Sequence, residues 1–378
     1  MQSEILSSHQ ANGTNDHNLT DNNVGQDSHD PRAILDELVQ RASRYCINLD
    51  GLVSKDHIGS RRLGGCAIIS SGTLQLNEEL MTRWTASSGF LKDGNTIKVA
   101  IKTSRGTLSE VVDVEAITKF LKEVHSWSKL NHENVLPLIG ITTQFEYTVS
   151  IVSPWIEKVA RTFVRDESID PRPLIEGIAS GLCYLHNRIP TPLYHGDVKG
   201  LNVLISEDGR ALLTDFGLSF LTDSTFSMST PGRIEGSLPW IPPEMLDGGE
   251  ASAARDVWAF AMTALELFTR QDPFHPRHGI TALITRITQG PPDRPRPEDT
   301  YGRLTDEWWD ICSECWNPDP DSRPTMLQVT TRIKQMVCFS PFAGLFYPLL
   351  QGCLSLVNAQ RSYIFIPPLQ MEQRMSMD

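Results

Sequence analysis

The sequence has no cysteine framework. Its seven cysteines (Cys46, Cys66, Cys183, Cys312, Cys315, Cys338, Cys353) are odd in number and scattered, which excludes a disulfide scaffold and fits a reducing compartment. Positive charge is also short: Lys plus Arg total 34 against 46 Asp plus Glu, a formal net charge of -12. No nucleic-acid partner is therefore expected, and any phosphate-binding site must be local. The N-terminus lacks a charged segment followed by an apolar run, so no secretory leader is expected and the cytoplasm is the expected location. No internal repeat of solenoid or propeller period occurs, which excludes a repeat array.

One long uncharged stretch does occur, at 336–357. It approaches membrane-spanning length, but its two prolines and two glycines argue against a membrane anchor and for an apolar C-terminal extension, 338–378, of unassigned role.

What is present reads as a soluble globular protein with tails: 378 residues, 40 % hydrophobic and 21 % charged. Residues 1–30 are rich in Asn, Asp, Ser and Gln with few large apolar side chains, so they are expected to form a disordered tail. Residues 31–49 place Ile34, Leu35, Leu38, Val39 and Ala42 on one helical stripe, a helix or linker expected to dock on the domain C-terminal to it. Alternation at 95–105 and at 147–155 predicts strands, the second stopped by Pro154, with a helical period between them at 114–130. Beyond residue 170 the periodicity is helical, as in 173–188 and 254–270. The expected fold is α+β, with strands concentrated in the first half and helices in the second.

The sharpest signal is YHGDVKGLNVLI at 194–205 followed, ten residues after Asn202, by LLTDFGLSF at 212–220. Either piece alone is an ordinary turn or strand end. In this order and separation they resemble the catalytic loop and the metal-binding turn of protein kinases. The resemblance implies that Asp197 takes or orients the proton of the attacking hydroxyl, and that Asn202 and Asp215 hold magnesium through hard oxygen ligands. It also implies that Lys199 marks a serine or threonine acceptor, with tyrosine the lesser alternative.

Other pieces extend the resemblance. Val99-Ala100-Ile101-Lys102 is similar to the strand whose lysine reaches the ATP phosphates, and Glu123, 21 residues on, stands where the family's helix glutamate pairs with it. Residues 151–156, with Ser153 and Ile156, resemble the hinge that borders adenine, Ser153 falling at the gatekeeping position. GSLPWIPPEML at 236–246, ARDVWAF at 254–260 and CWNPDPDSRPTM at 315–326 resemble three late landmarks. They imply structural roles for Glu244, Asp256 and Arg323, with Arg323 paired to Glu244. A CxxC at Cys312 and Cys315 has no second ligand pair at metal spacing, and Cys315 is expected in the core.

The phosphate-covering loop departs from the family pattern. LGGCAIISSGTL at 63–74 supplies Gly64, Gly65 and Gly72, with Ala67 in place of a glycine and Ile69 in place of the valine. An alternative alignment ends the loop at Gly89 instead. Under the first alignment thirty residues separate Gly72 from Lys102, and residues 75–89 read as an inserted surface loop. Gly196 replaces the arginine that usually precedes the catalytic aspartate, which implies less dependence on a phosphorylated activation segment. Residues 157–170 also lack the glycine that generally follows the hinge.

Residues 50–337 thus resemble a protein kinase domain of the tyrosine-kinase-like group, similar to kinases of mushroom-forming fungi. The implied architecture is bilobal: an upper lobe at 50–153, a hinge at 153–158 and an α-rich lower lobe at 159–337. The resemblance implies Mg2+ and ATP as cofactor and co-substrate, and proteins as acceptors. A pseudokinase that keeps the fold as a scaffold, on account of the altered glycine loop, is the competing expectation.

Overall fold

Period-2 patterning along Thr96–Ser104 decides the upper half of the molecule: Ile97, Val99 and Ile101 are buried, while Lys98 faces solvent. The structure is a computed structural model. It describes residues 39–40, 42–56, 61–63, 67–85, 92–104, 121, 124–145, 148–215, 237–246, 252–276 and 279–338. The expected tail at 1–30 and, apart from Cys338, the extension at 338–378 lie outside the described residues.

The upper sheet comprises β1 (Val53–Lys55), β2 (Arg61–Leu63), β3 (Ala67–Gln75), β4 (Lys92–Asp93), β5 (Thr96–Ser104), β6 (Gly140–Thr142) and β7 (Ser150–Pro154). Its order is β1-β3-β5-β7-β6, with β2 paired to β3 and β4 to β5. Every pairing is antiparallel. The buried face of β5 packs with Leu49, Leu74, Leu76, Leu80 and Val152 in one apolar cluster. At Gly72, β1 and β3 approach so closely that a Cβ would lie 2.4 Å from the Ser54 carbonyl oxygen.

The register of β3 on β5 decides between the two glycine-loop alignments. Ile69 stands opposite Lys102 and Gly72 opposite Val99, so the strand beside the lysine strand is the one that comes after Gly64 and Gly65. The expectation of a surface loop after Gly72 is corrected. Glu78–Thr85 forms a helix, α1, whose first turn is capped by the Asn77 side chain accepting from the Leu80 N–H at 2.8 Å. Leu76 and Leu80 are buried in the upper cluster, so apolar side chains at those two positions anchor the insertion.

The lower half is helical: α2 (Ala160–Phe163), α3 (Arg172–His186), α4 (Ala253–Thr269), α5 (Ile280–Thr288), α6 (Asp306–Cys315) and α7 (Met326–Cys338). Leu174, Ile178, Leu182 and Leu185 recur along one face of α3 and are buried in the main core. Helix α4 is buried continuously from Asp256 to Phe268, as its nearly unbroken apolar run dictates. Cys312 and Cys315 are buried with it, in line with a core reading; burial pushes the Cys312 thiol up to about 12.

Of the segment before β1, Ile34, Leu35 and Leu38 lie outside the described residues. Val39, Ala42 and Cys46 are buried in the same cluster as Leu121, Val124 and Trp127. The stranded upper half and the helical lower half together give the bilobal α+β architecture that the resemblance implies.

Candidate active site

A two-stranded hairpin, β8 (Val203–Ile205) and β9 (Ala211–Leu213), explains the ten-residue spacing of the two motifs. It carries the chain away and back, pairing Val203 with Leu213, so the residues that flank the hairpin meet. The Thr214 N–H donates to the Asn202 carbonyl at 3.0 Å. His195 Nε2 is 3.0 Å from the Thr214 carbonyl. Burial holds the His195 imidazole below its ordinary pKa against the opposing charges of Asp256, Asp197 and Asp215. The ring is therefore neutral, donating from Nε2 and accepting the Asp197 N–H at Nδ1 at 3.3 Å.

Asp197 is buried and one of its oxygens is fully engaged. Oδ2 accepts from Lys199 Nζ at 2.8 Å and from Asn202 Nδ2 at 2.9 Å. Lys199 Nζ also donates to Ser237 Oγ at 2.7 Å. Asn202 Nδ2 gives a further bond to the Asp197 carbonyl at 2.8 Å. Asp215 meets Lys102 from the opposite lobe: Nζ to Oδ1 is 3.0 Å. Strand β5 delivers that lysine, and its neighbours in register, Ile69 on β3 and Ile151 on β7, flank it. Ala100 lies opposite Ser153, which is buried, and Ile156 is half-buried beyond β7. Lys102, Asp197, Lys199, Asn202 and Asp215 are thereby brought together, with Ile69, Ala100 and Ser153 on the sheet that carries Lys102 and Ile156 just beyond it. Gly64, Gly65 and Glu123 lie outside the described residues.

These contacts place a cation from a strand against a carboxylate from a turn, beside a second buried carboxylate held by a lysine and an amide. The model of the family described as protein tyrosine and serine/threonine kinase matches residues 80–333. The chain belongs to this kinase family. Three relatives illustrate its range. The rat receptor-interacting serine/threonine-protein kinase 3 is 31 % identical over 239 residues, 58 % of this chain and 48 % of the relative. The probable L-type lectin-domain containing receptor kinase VII.2 of Arabidopsis thaliana is 29 % identical over 252 residues, 63 % of this chain and 37 % of the relative. The wall-associated receptor kinase-like 17 of the same plant is 27 % identical over 278 residues, 68 % of this chain and 34 % of the relative. This chain thus spans less than half the length of each of these three relatives.

The kinase's structural landmarks are also in contact. Arg323 Nη1 and Nη2 donate to the two Glu244 oxygens at 2.6 and 2.9 Å, and the guanidinium reaches the Ala254 and Asn317 carbonyls as well. Asp256 accepts the His195 N–H at 2.7 Å, the Gly196 N–H at 2.8 Å and His186 Nε2 at 2.9 Å. Burial works against its ionised form, but the His186 bond and charge, His195 and the Gly196 N–H outweigh it and hold the carboxyl below its ordinary range. Three participants were missed by sequence reasoning. Ser237 and His186 carry no local signal. Glu266 does: it is a lone carboxylate inside the apolar run WAFAMTALELF, the pattern of a buried charge with a partner to find.

Proposed function

We propose that this chain is an ATP-dependent protein kinase that transfers the γ-phosphate of ATP to serine or threonine hydroxyls of protein substrates in cytoplasmic signalling. The observation that carries the reading is the convergence across the cleft: Lys102 Nζ lies 3.0 Å from Asp215, beside the buried Asp197 cluster. Phosphoryl transfer needs positioning and charge neutralisation more than covalent help, and these groups supply both. Lys102 holds phosphate oxygens of ATP in an orientation set by β5. Asp197 keeps Oδ2 for Lys199 and Asn202, while Oδ1 receives no donor among the described residues and faces the role of accepting the proton of the acceptor hydroxyl. Lys199, by bridging Asp197 and Ser237, fixes that carboxylate and supports the serine/threonine reading.

The donor set fits magnesium. Asp215 offers a carboxylate whose side chain is 37 % exposed. Asn202 turns its Nδ2 to Asp197, leaving its amide oxygen without a donor among the described residues. A carboxylate and an amide oxygen are hard ligands of the kind magnesium takes. Bound there with ATP, the ion would neutralise charge on the phosphate oxygens.

The test is transfer of labelled γ-phosphate to a generic acceptor protein. Asp197→Asn is expected to lower the rate by about 10²–10⁴-fold, the worth of a positioned base, and Lys102→Met to abolish transfer as well. Equal rates in wild type and Asp197→Asn would remove Asp197 from the mechanism. The scaffold reading rests on the altered glycine loop and the insertion after it, residues 64–89. It predicts no transfer by wild type and no thermal stabilisation by ATP with magnesium.

A further inference from the structure

Glu266 is a buried carboxylate for which the phosphate-transfer steps have no use. It sits on α4 at 1 % exposure, and one oxygen does all of its bonding. Oε2 accepts the Gly200 N–H at 2.9 Å and the Trp240 indole N–H at 3.0 Å. Oε1 has no hydrogen-bond partner among the described residues. The charges that act on it are Arg161 on α2 and Asp272, in the loop after α4, and these two are ion-paired with each other. A carboxylate in such a place is costly to bury, so what it holds matters more than what it stabilises.

Its two donors come from the two segments that Lys199 also joins, the loop of Asp197 to Asn202 and the turn after Ser237. Gly200 lies between Lys199 and Asn202, three residues after Asp197. Trp240 ends the turn Leu238–Trp240, whose preceding residue, Ser237, binds Lys199. The contacts close a ring: Asp197 to Lys199, Lys199 to Ser237, the turn to Trp240, Trp240 to Glu266, and Glu266 back to Gly200. Gly200 makes the approach feasible, because a Cβ there would lie 2.7 Å from Glu266 Oε1 and 2.9 Å from its Cδ.

We propose that Glu266 is a positioning residue for phosphate transfer: by accepting from Gly200 and Trp240 at a single oxygen, it locks the Ser237–Trp240 turn to the catalytic loop and so fixes Lys199 and Asp197 for the acceptor hydroxyl. The inference rests on the protein kinase reading and adds a residue to it. Glu266 touches neither acceptor nor ATP in this scheme. It acts through the backbone of the loop and through the wall that the acceptor meets.

The chemistry distinguishes positioning from charge. In Glu266→Gln the amide oxygen can take the place of Oε2 and keep both bonds, while the amide nitrogen falls at the unbonded Oε1 position. Glu266→Ala orphans both donors. Trp240→Phe removes the indole N–H and leaves an aromatic ring to pack.

The experiment measures kcat and KM for a protein acceptor and for ATP in the full chain and in these three variants. It also follows the Trp240 indole N–H by NMR, assigned through Trp240→Phe. Glu266→Ala is expected to lower kcat by about 10–100-fold, as for lost hydrogen bonds to a charged group, with KM for ATP unchanged and fast exchange of the indole proton. Glu266→Gln is expected to stay within about threefold of wild type, with slow exchange. Trp240→Phe should lower kcat by about three- to tenfold. Unchanged constants in folded Glu266→Ala, or equal losses in the Gln and Ala variants, overturn the proposal. Should Glu266→Ala fail to fold, Trp240→Phe decides, and unchanged constants there overturn it. A wild type that transfers no phosphate overturns the kinase reading, and the positioning role falls with it. An active wild type with indifferent variants overturns only the latter.

Discussion

Replacing Asp256 by Asn removes one charge and converts one acceptor into a donor, inside a fully buried site. Asp256 accepts three hydrogen bonds there, from the His195 and Gly196 backbone N–H groups and from His186 Nε2. An asparagine offers a single oxygen. If that oxygen serves His195 and His186, its amide nitrogen faces the Gly196 N–H, donor against donor. One orphaned buried donor costs about 1–3 kcal/mol, and the bonds that survive lose their charge assistance. The total is roughly 3–5 kcal/mol, a large part of the ~5–15 kcal/mol that holds a domain folded. It corresponds to a fall in Tm of about 10 °C. Urea unfolding at pH 7 measures the first quantity and calorimetry the second. Activity should fall as well, because the two tethered backbone groups immediately precede Asp197.

The pH dependence gives a second check on the same residue. The folded carboxyl is held below its ordinary value of 3.8. Its stabilising contribution is therefore present above that pH and is lost as pH falls through the folded value. Wild type loses this contribution in acid and Asp256→Asn does not, so the gap between them should narrow there. A loss below about 1 kcal/mol at pH 7, with activity intact, would refute the reasoning.

Other perturbations have equally definite outcomes. Glu244→Ala leaves the Arg323 guanidinium, 0 % exposed in its side chain, without its anion and should cost about 3–5 kcal/mol in denaturant unfolding; a cost under about 1 kcal/mol contradicts a buried pair. Burial raises the Glu266 carboxyl from 4.5 to about 7, against the opposing Gly200 and Trp240 bonds and Arg161. Its folded-state pKa lies above the unfolded one, so wild type should lose roughly 3 kcal/mol as pH rises through that window. Glu266→Gln lacks this loss, so its Tm should gain on wild type between pH 5 and 8; a constant difference refutes the shift. Gly72→Val drives a Cβ to within 2.4 Å of the Ser54 carbonyl oxygen and 2.7 Å of Ile101, and should destabilise by about 1–3 kcal/mol through overpacking. A neutral substitution there would contradict the β1–β3 spacing.

Much of the candidate site was legible in the chain because the chemistry it resembles uses particular residue types at fixed separations. Asp197, Asn202 and Asp215 were assigned through the resemblance of 194–205 and 212–220 to two family motifs, and the structure joins those motifs by the short β8–β9 hairpin, which has few ways to place its flanks. The β-branched alternation around Lys102 marked the strand, and the resemblance of Val99–Lys102 to the family's lysine strand singled out the residue. Glu244 and Arg323 were assigned through motif resemblance and then found in bidentate contact. The insertion at 75–89 misled because a polar stretch between two strands reads as a loop, whereas Leu76 and Leu80 supply enough apolar anchorage to hold a helix on the upper core.

By itself, then, the sequence determined most of the elements and the candidate groups: periodicity separates strand from helix outside the insertion, and the motifs that phosphoryl transfer needs admit few side chains. Only the tertiary structure decided the register that places Ile69 rather than a residue near Gly89 beside Lys102, and the union of Gly200, Trp240 and Glu266 at one carboxylate oxygen. The physical reason is range. Propensity and periodicity act over a few neighbouring residues, while the Gly200–Glu266 bond joins groups 66 residues apart through a buried position whose partner is set by the packing of α4 against both loops.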